Sequence, residues 1–317
     1  MTTAISVDPQ QYRIITNRPQ AGLFSSFIQV LGELHYCKQH GVIPVVFFGS
    51  NWVYWQHGGY NKAINGWEYY FKPVSGARIS ELTGKDEAYL ENCNIFDFDN
   101  ERIVPNNNPK HHYDLSRQGH IKLPSTVTVV NKWPDFHLGT GIFLEKNRIA
   151  ASELIAEYIT VHPDIQSRAG DYHARYLAGK SVAGVHIRGT EHRKEIEEWH
   201  GLKLAAESEY RNHIDSYLEG NSEARLFIAT DTESTLSYFL KQYGDRCLYY
   251  ESRRSSGGNS PHLEFGGAQV GEEMLIDALL LAKTDYLIHG ISNVAFAVLC
   301  FNPWLPHLDV YHCDPYG

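Results

Sequence analysis

The chain lacks the marks of a membrane protein, a secreted disulfide scaffold or a nucleic-acid binder. No segment approaches the roughly 20 apolar residues of a bilayer-spanning helix. The start, MTTAISVDPQQYRIITNRPQ, has neither a cationic lead nor an apolar run of signal length. Its five cysteines, Cys37, Cys93, Cys247, Cys300 and Cys313, are odd in number, scattered and free of CxxC spacing, so they read as reduced thiols. Positive charge is also short: 28 Lys and Arg against 37 Asp and Glu leave a formal charge of −9, which excludes the general electrostatic footprint of a nucleic-acid binder. P-loop, nucleophile-elbow and GxGxxG patterns are missing too. The expectation is a cytoplasmic globular protein with no nucleic-acid partner and no transmembrane segment.

Hydroxyls and rings are plentiful. The 17 His, 20 Tyr and 6 Trp supply groups that stack on rings and hydrogen-bond hydroxyls, as a sugar or nucleotide site needs, although aromatics also fill cores. The length, 317 residues, suits two domains.

YRIITNRP predicts a strand. AGLFSSFIQVLGELHYCKQHG then places Phe24, Phe27, Ile28, Leu31 and Leu34 at helical spacing with Gly41 as C-terminal cap, and Val42 to Phe48 predicts a buried strand. This is a βαβ unit whose βα turn carries a lone glycine, Gly22. From Asn51 to Pro124 the sequence becomes irregular and aromatic, and such loop-rich insertions either carry specificity or pack over the sheet. NRIAASELIAEYITVH predicts a helix stopped at His162-Pro163, and DIQSRAGDYHARYLAGK predicts another; Val161 to Gly179 is the candidate hinge. The expected division is 1–165 and 166–317.

The second half alternates regularly. SVAGVHIRG, ARLFIATD, CLYYES and TDYLIHG read as strands, while ESEYRNHIDSYLEG, TESTLSYFLKQYG, VGEEMLIDALLLAKT and SNVAFAVLCF read as helices. That alternation predicts a doubly wound parallel sheet, whose ligands lie off the carboxyl ends of its strands. His186 with Arg188, Thr230 with Asp231, and Ser292 with Asn293 all fall at such ends.

Arg188 presents a planar, permanently charged fork suited to phosphate oxygens, or a structural salt bridge. Ser292 and Asn293 open a helix, where a serine caps and backbone N–H groups attract anions. Asp277 sits among leucines in GEEMLIDALLLAKT, where a carboxylate needs donors such as a guanine edge, a lysine or a backbone amide. The D-x-D of IFDFDN and the D-x-E of IATDTE are weak metal signals, IFDFDN reading equally well as a turn, and His111-His112 lacks companions at zinc spacing. Glu191, Glu195, Glu197 and Glu198 are candidate general bases in a run that also reads as a solvated face.

GVHIRGTE, LFIATD and LIDALLLAKTDYLIHGISNVAFAV, with AGLFSSFIQVLGELHYCKQHGVIPVV upstream, resemble blocks of the α-1,6-fucosyltransferase and protein O-fucosyltransferase superfamily, which includes the rhizobial nodulation enzymes. The HxRxT(D/E) block, carrying His186 and Arg188, is its most specific part. The resemblance implies a GT-B architecture, two Rossmann-like domains facing across a cleft, with the nucleotide sugar held mainly by the second and the acceptor by the first. It implies GDP-β-L-fucose as donor, inversion, no metal or other cofactor, and a glycan, glycolipid or protein acceptor. His186 and Asp277 would contact the guanosine, Arg188 the β-phosphate, and Ser292 with Asn293 the diphosphate. Asp231 would line the same pocket, with Gly22 in the glycine turn on the opposite side. For a catalytic base, Glu195 comes first and Glu198 second. The chain departs from some relatives at Gly189, where they carry a second arginine, and at Glu191, where they carry aspartate. Two alternatives stay open: another nucleotide sugar on the same fold, or a catalytically silent glycan- or nucleotide-binding protein.

Overall fold

The computed structural model describes residues 9–104, 119–131, 145–189, 197–198 and 201–311. It holds two parallel sheets. The first has the order β2-β1-β4-β3, from β1 (Tyr12–Thr16), β2 (Ile43–Phe47), β3 (Ile103–Val104) and β4 (Val127–Val130). The second has the order β7-β6-β5-β8-β9, from β5 (Val182–Ile187), β6 (Arg225–Thr230), β7 (Cys247–Leu248), β8 (Tyr286–His289) and β9 (His307–Asp309). Every pairing is parallel.

The predicted βαβ unit is present. Helix α1 (Leu23–His40) buries Phe24, Phe27, Ile28, Leu31 and Leu34 and stops where Gly41 turns left-handed at φ 64°, a conformation glycine adopts without Cβ strain. Short helices α2 (Ile79–Thr83) and α3 (Glu87–Leu90) precede β3. Helix α4 (Glu145–Tyr158) ends earlier than expected, and Pro163 opens the next helix, α5 (Pro163–Tyr172), with His162 at its N-cap. Proline is suited to that first position because its missing N–H has no intrahelical partner there. The expected division at 165/166 falls inside α5, which packs on α9 (Ala268–Leu281).

In the second half, α6 (Glu207–Gly220) and α7 (Glu233–Tyr243) alternate with the strands as predicted. So do α9 and α10 (Asn293–Phe301), while α8 (Pro261–Glu264) is a single turn. The expected strand CLYYES contracts to the two residues of β7. The next carbonyls are used elsewhere: Tyr172 Oη donates to Tyr249 O at 2.8 Å, and Arg254 and the Ser252 N–H donate to Tyr250 O.

The aromatic stretch after Asn51 lies largely in the core. Trp52, Tyr54, Trp67, Tyr69, Tyr70 and Phe71 are buried in one apolar cluster with residues of α1, α5, α9 and α10, so this cluster joins the halves. Tyr70 Oη donates to Ala268 O at 2.7 Å, and Tyr60 Oη donates to Glu272 at 2.9 Å. Of the two readings of this segment, packing accounts for these six rings.

Candidate active site

The order of the second sheet reverses at β5, with β6 on one side and β8 on the other. The loops leaving β5 and β8 therefore diverge, opening a crevice at the carboxyl edge, where doubly wound sheets bind ligands. A narrow crevice of about 160 Å³, its open mouth included, lies there, lined by His186, Arg188, Tyr210, Gly290, Ile291, Ser292 and Tyr311.

Alternation along β5 places Val182, Gly184, His186 and Arg188 on one side, facing the shared core, while Ala183, Val185 and Ile187 pack on the opposite cluster. His186 is buried, and Arg188 follows the last strand residue with its side chain 18% exposed. Asp231, just beyond β6, accepts the Gly189 N–H at 2.8 Å and lies 3.9 Å from Arg188 Nε. Its carboxylate holds the 188–189 turn and faces the guanidinium, so it reaches the site through Arg188. Gly189 permits the approach, since a Cβ there would come within 3.3 Å of Thr232.

Across the crevice, Ser292 caps α10, its Oγ accepting the Ala295 N–H at 3.0 Å. The capping role is thus realised. Asn293 opens α10 next to Ser292 but is not among the residues lining the crevice. Gly290 is needed for close approach, because a Cβ there would run into the Tyr210 hydroxyl and meet Tyr311 Cε2 at 3.0 Å. Tyr210 and Tyr311 were not foreseen, since nothing in a helical tyrosine or a near-terminal one signals proximity to β5.

Asp277 lies outside the lining of this crevice, on α9, and is 7% exposed. Its Oδ2 accepts from Ser252 Oγ at 2.8 Å, whereas its Oδ1 is buried with no hydrogen-bond partner. Burial pushes its carboxyl up to about 7, against the Ser252 hydrogen bond and the Arg254 charge, with Glu273 adding to the rise. A buried acceptor with one lobe unused fits a ligand that brings N–H donors.

Gly22 is the N-cap of α1 with φ −61°, and a Cβ there would make ordinary contacts with Tyr54 Oη and His262 Cε1. It does not line the crevice. Tyr54 Oη, which accepts the Leu23 N–H, is pushed up in pKa by burial, opposed by that hydrogen bond and by the Arg188 charge. Glu195, Glu191 and His111-His112 lie outside the described residues, while Glu197 and Glu198 are exposed. Asp97 and Asp99 accept the backbone N–H groups of Asn94 and Glu101, confirming the turn reading of IFDFDN. Among the described residues no cluster of three or more His, Cys, Asp or Glu is arranged to hold a metal, and no helix is long and apolar enough to cross a membrane.

Two sheets of parallel strands covered by helices form an α/β fold that solved fucosyltransferase structures share. The solved structures bear this out as a likeness of fold. The NodZ α-1,6-fucosyltransferase crystallised with GDP matches with a TM-score of 0.56 at 15% identity, over 95% of each chain. POFUT1 in complex with GDP-fucose matches with a TM-score of 0.55 at 11% identity, over 96% of this chain and 99% of that one. FUT1 of Arabidopsis thaliana in complex with GDP matches at 0.52 and 9% identity, over 93% of this chain and 69% of that one. No family model and no curated protein sequence matches the chain.

Proposed function

We propose that the chain is an inverting, metal-independent glycosyltransferase that moves L-fucose from GDP-β-L-fucose to a glycan, glycolipid or protein acceptor. The observation that carries this reading is the meeting of His186, Arg188 and the Ser292-capped helix at one crevice, on a fold shared with fucosyltransferases solved with GDP and GDP-fucose. Residues 1–165 form the acceptor side and 166–317 the donor side in this proposal. The four described cysteines are unpaired, which supports the reducing, cytoplasmic compartment that belongs to the same reading.

The residues suit the parts of the donor. Asp277 Oδ1, buried and unpartnered, takes the N–H edge of guanine, and His186 packs against the nucleoside. Arg188 and the first turn of α10 take the diphosphate. In the transfer the acceptor oxygen bonds to the fucose anomeric carbon while the bond from that carbon to the β-phosphate oxygen breaks. GDP leaves with the electron pair, and the acceptor proton passes to a carboxylate or to water. Arg188 stabilises the charge growing on the leaving diphosphate, and Asp231 keeps the guanidinium turned toward it. An oxocarbenium-like centre places more weight on the leaving group than on a strong base. Glu195, then Glu198, stand as the base in this proposal.

The test is the thermal midpoint of the protein with GDP, GDP-fucose, GDP-mannose, UDP and CDP, each with and without EDTA. A ligand that binds only the folded state raises the midpoint with the logarithm of its saturation. A rise confined to guanosine ligands and indifferent to EDTA supports the reading. A rise with UDP, or one abolished by EDTA, overturns the donor or the metal independence. Binding of GDP-fucose with neither transfer nor slow donor hydrolysis marks a silent binding protein.

A further inference from the structure

Arg148, in the first turn of α4, is 8% exposed, and its Nε is buried without a hydrogen-bond partner. Among the described residues no carboxylate forms an ion pair with it; the acidic groups near enough to matter are Glu145, exposed on the same turn, and the thiol of Cys300. Burial lowers its pKa, but a guanidinium stays charged at any working pH. The end of a helix at which it sits is itself positive. A buried cation with no ion-pair partner among the described residues, on a helix N-terminus, is costly, and an arriving anion relieves that cost.

The two histidines its charge reaches are held neutral. Helix α4 packs on α10, and the Arg148 charge reaches His289 at the end of β8 and His307 at the start of β9. His289 Nδ1 lies 3.0 Å from Gly290 O and its Nε2 lies 2.9 Å from His307 Nδ1. A carbonyl only accepts, so Nδ1 of His289 carries the proton and Nε2 accepts from His307. Burial, chiefly, holds His289 down to about 3 and His307 to about 4, with Arg148 contributing to both, so neither competes for an anion as a cation. His289 pairs with His186 across the strands and immediately precedes Gly290, which lines the crevice.

We infer that Arg148 is an oxyanion-binding residue contributed by the first half, beside the His289–His307 pair and separate from Arg188, and that its ligand is a phosphate-class group. The inference does not depend on which sugar or base the donor carries. Such a group has two sources, the diphosphate of a nucleotide donor or an anionic substituent on the acceptor, and they are separable.

The experiment compares wild type with Arg148→Met, Arg148→Lys and Arg188→Ala by thermal midpoint in chloride, inorganic phosphate, pyrophosphate and GDP at matched ionic strength. Phosphate is expected to raise the wild-type midpoint. Arg148→Met should keep or raise the midpoint in chloride, because an unpaired buried charge is gone, and should bind phosphate roughly tenfold more weakly or worse, the loss of a charged hydrogen bond. Arg148→Lys retains part of the response. If GDP and pyrophosphate weaken together with phosphate, the anion is the donor diphosphate; if GDP is unaffected while phosphate is lost, it belongs to the acceptor. An unchanged phosphate response in Arg148→Met overturns the inference. So does a variant that unfolds in every buffer while Arg148→Lys behaves as wild type in chloride with no phosphate response. Failure of the guanosine-donor reading appears separately, as GDP binding indifferent to Arg188→Ala.

Discussion

Both sheets reverse their strand order, the first between β1 and β4 and the second between β5 and β8, and the described residues at the two reversals differ in chemistry. In the first, amides cross-link the strand ends among the described residues. Asn131, just past β4, donates to Asn17 O at 2.6 Å and to Thr16 Oγ1 at 3.3 Å. Asn17 in turn accepts the Gly49 N–H at 2.9 Å and donates to Asn51 at 3.1 Å. In the second, Arg188, His186 and the capped end of α10 surround a crevice. Parallel topology supplies a possible site at every reversal, and the side chains there differ: amides bonded to one another at the first, an arginine and a histidine at the second. The same contrast holds for Arg188 and Arg13: Arg13 is tied to Glu33 in a buried pair at 2.5 Å, whereas Asp231 stands 3.9 Å from Arg188.

The sharpest break in that contrast comes from Asp277. Its folded pKa of about 7 lies above the ordinary 3.8, so the folded state holds a proton that the unfolded state releases, and stability falls as pH rises from 4 to 7. Three pKa units set an upper bound of about 4 kcal/mol. Urea unfolding of Asp277→Asn should therefore show little change at pH 4 and a gain at pH 8, with a flattened pH slope. Guanine donors favour the ionised carboxylate, so calorimetry should find GDP binding tighter at pH 8 than at pH 6 in wild type and independent of pH in the variant. Equal slopes in the two proteins would make Asp277 an ordinary carboxylate.

Arg188→Ala comes next. Loss of a charged contact to the leaving group should lower turnover about 100-fold or more while the thermal midpoint barely moves, since the ion pair it gives up is long. A loss below tenfold removes Arg188 from the chemistry.

Asn17→Ala tests the amide-linked reversal. It leaves the buried Gly49 N–H without its acceptor, at a cost of about 1–3 kcal/mol by denaturant unfolding, and should spare GDP affinity. A variant that loses nucleotide binding instead would move the site toward the first sheet. Ser292→Ala is the smallest, about 1 kcal/mol of stability for the lost cap. A GDP affinity that falls more than the cap accounts for would show that the hydroxyl also touches the ligand.

The strands and helices of the second half were legible because burial on both faces makes parallel strands continuous apolar runs, as in VAGVHI and RLFIAT. Two- to four-residue strands such as β3, β7 and β9 carry no such signal, because their pairing rests on neighbours distant in sequence. Arg188 and Ser292 stood out through their place at strand and helix ends. Tyr210, Tyr311 and Ser252 did not, for each reaches the site region only by packing. Trp67 and Tyr70 lie in a segment whose sequence left packing and specificity both open, and the fold put these rings in the core.

By itself the amino-acid sequence determined the parallel α/β class, the polar groups at the ends of β5, β6 and β8, and the shortage of positive charge. These follow from local periodicity and composition, which each segment carries alone. Only the tertiary structure decided that amides bond to one another at one reversal while Arg188 and His186 meet at the other, that the aromatic segment joins the halves, and that Arg148 is buried. Those outcomes depend on contacts between residues more than 100 positions apart, such as Asn131 with Asn17 and Tyr70 with Ala268. Such distances have no trace in local pattern, because burial and the electrostatics that follow from it exist only once the chain has closed on itself.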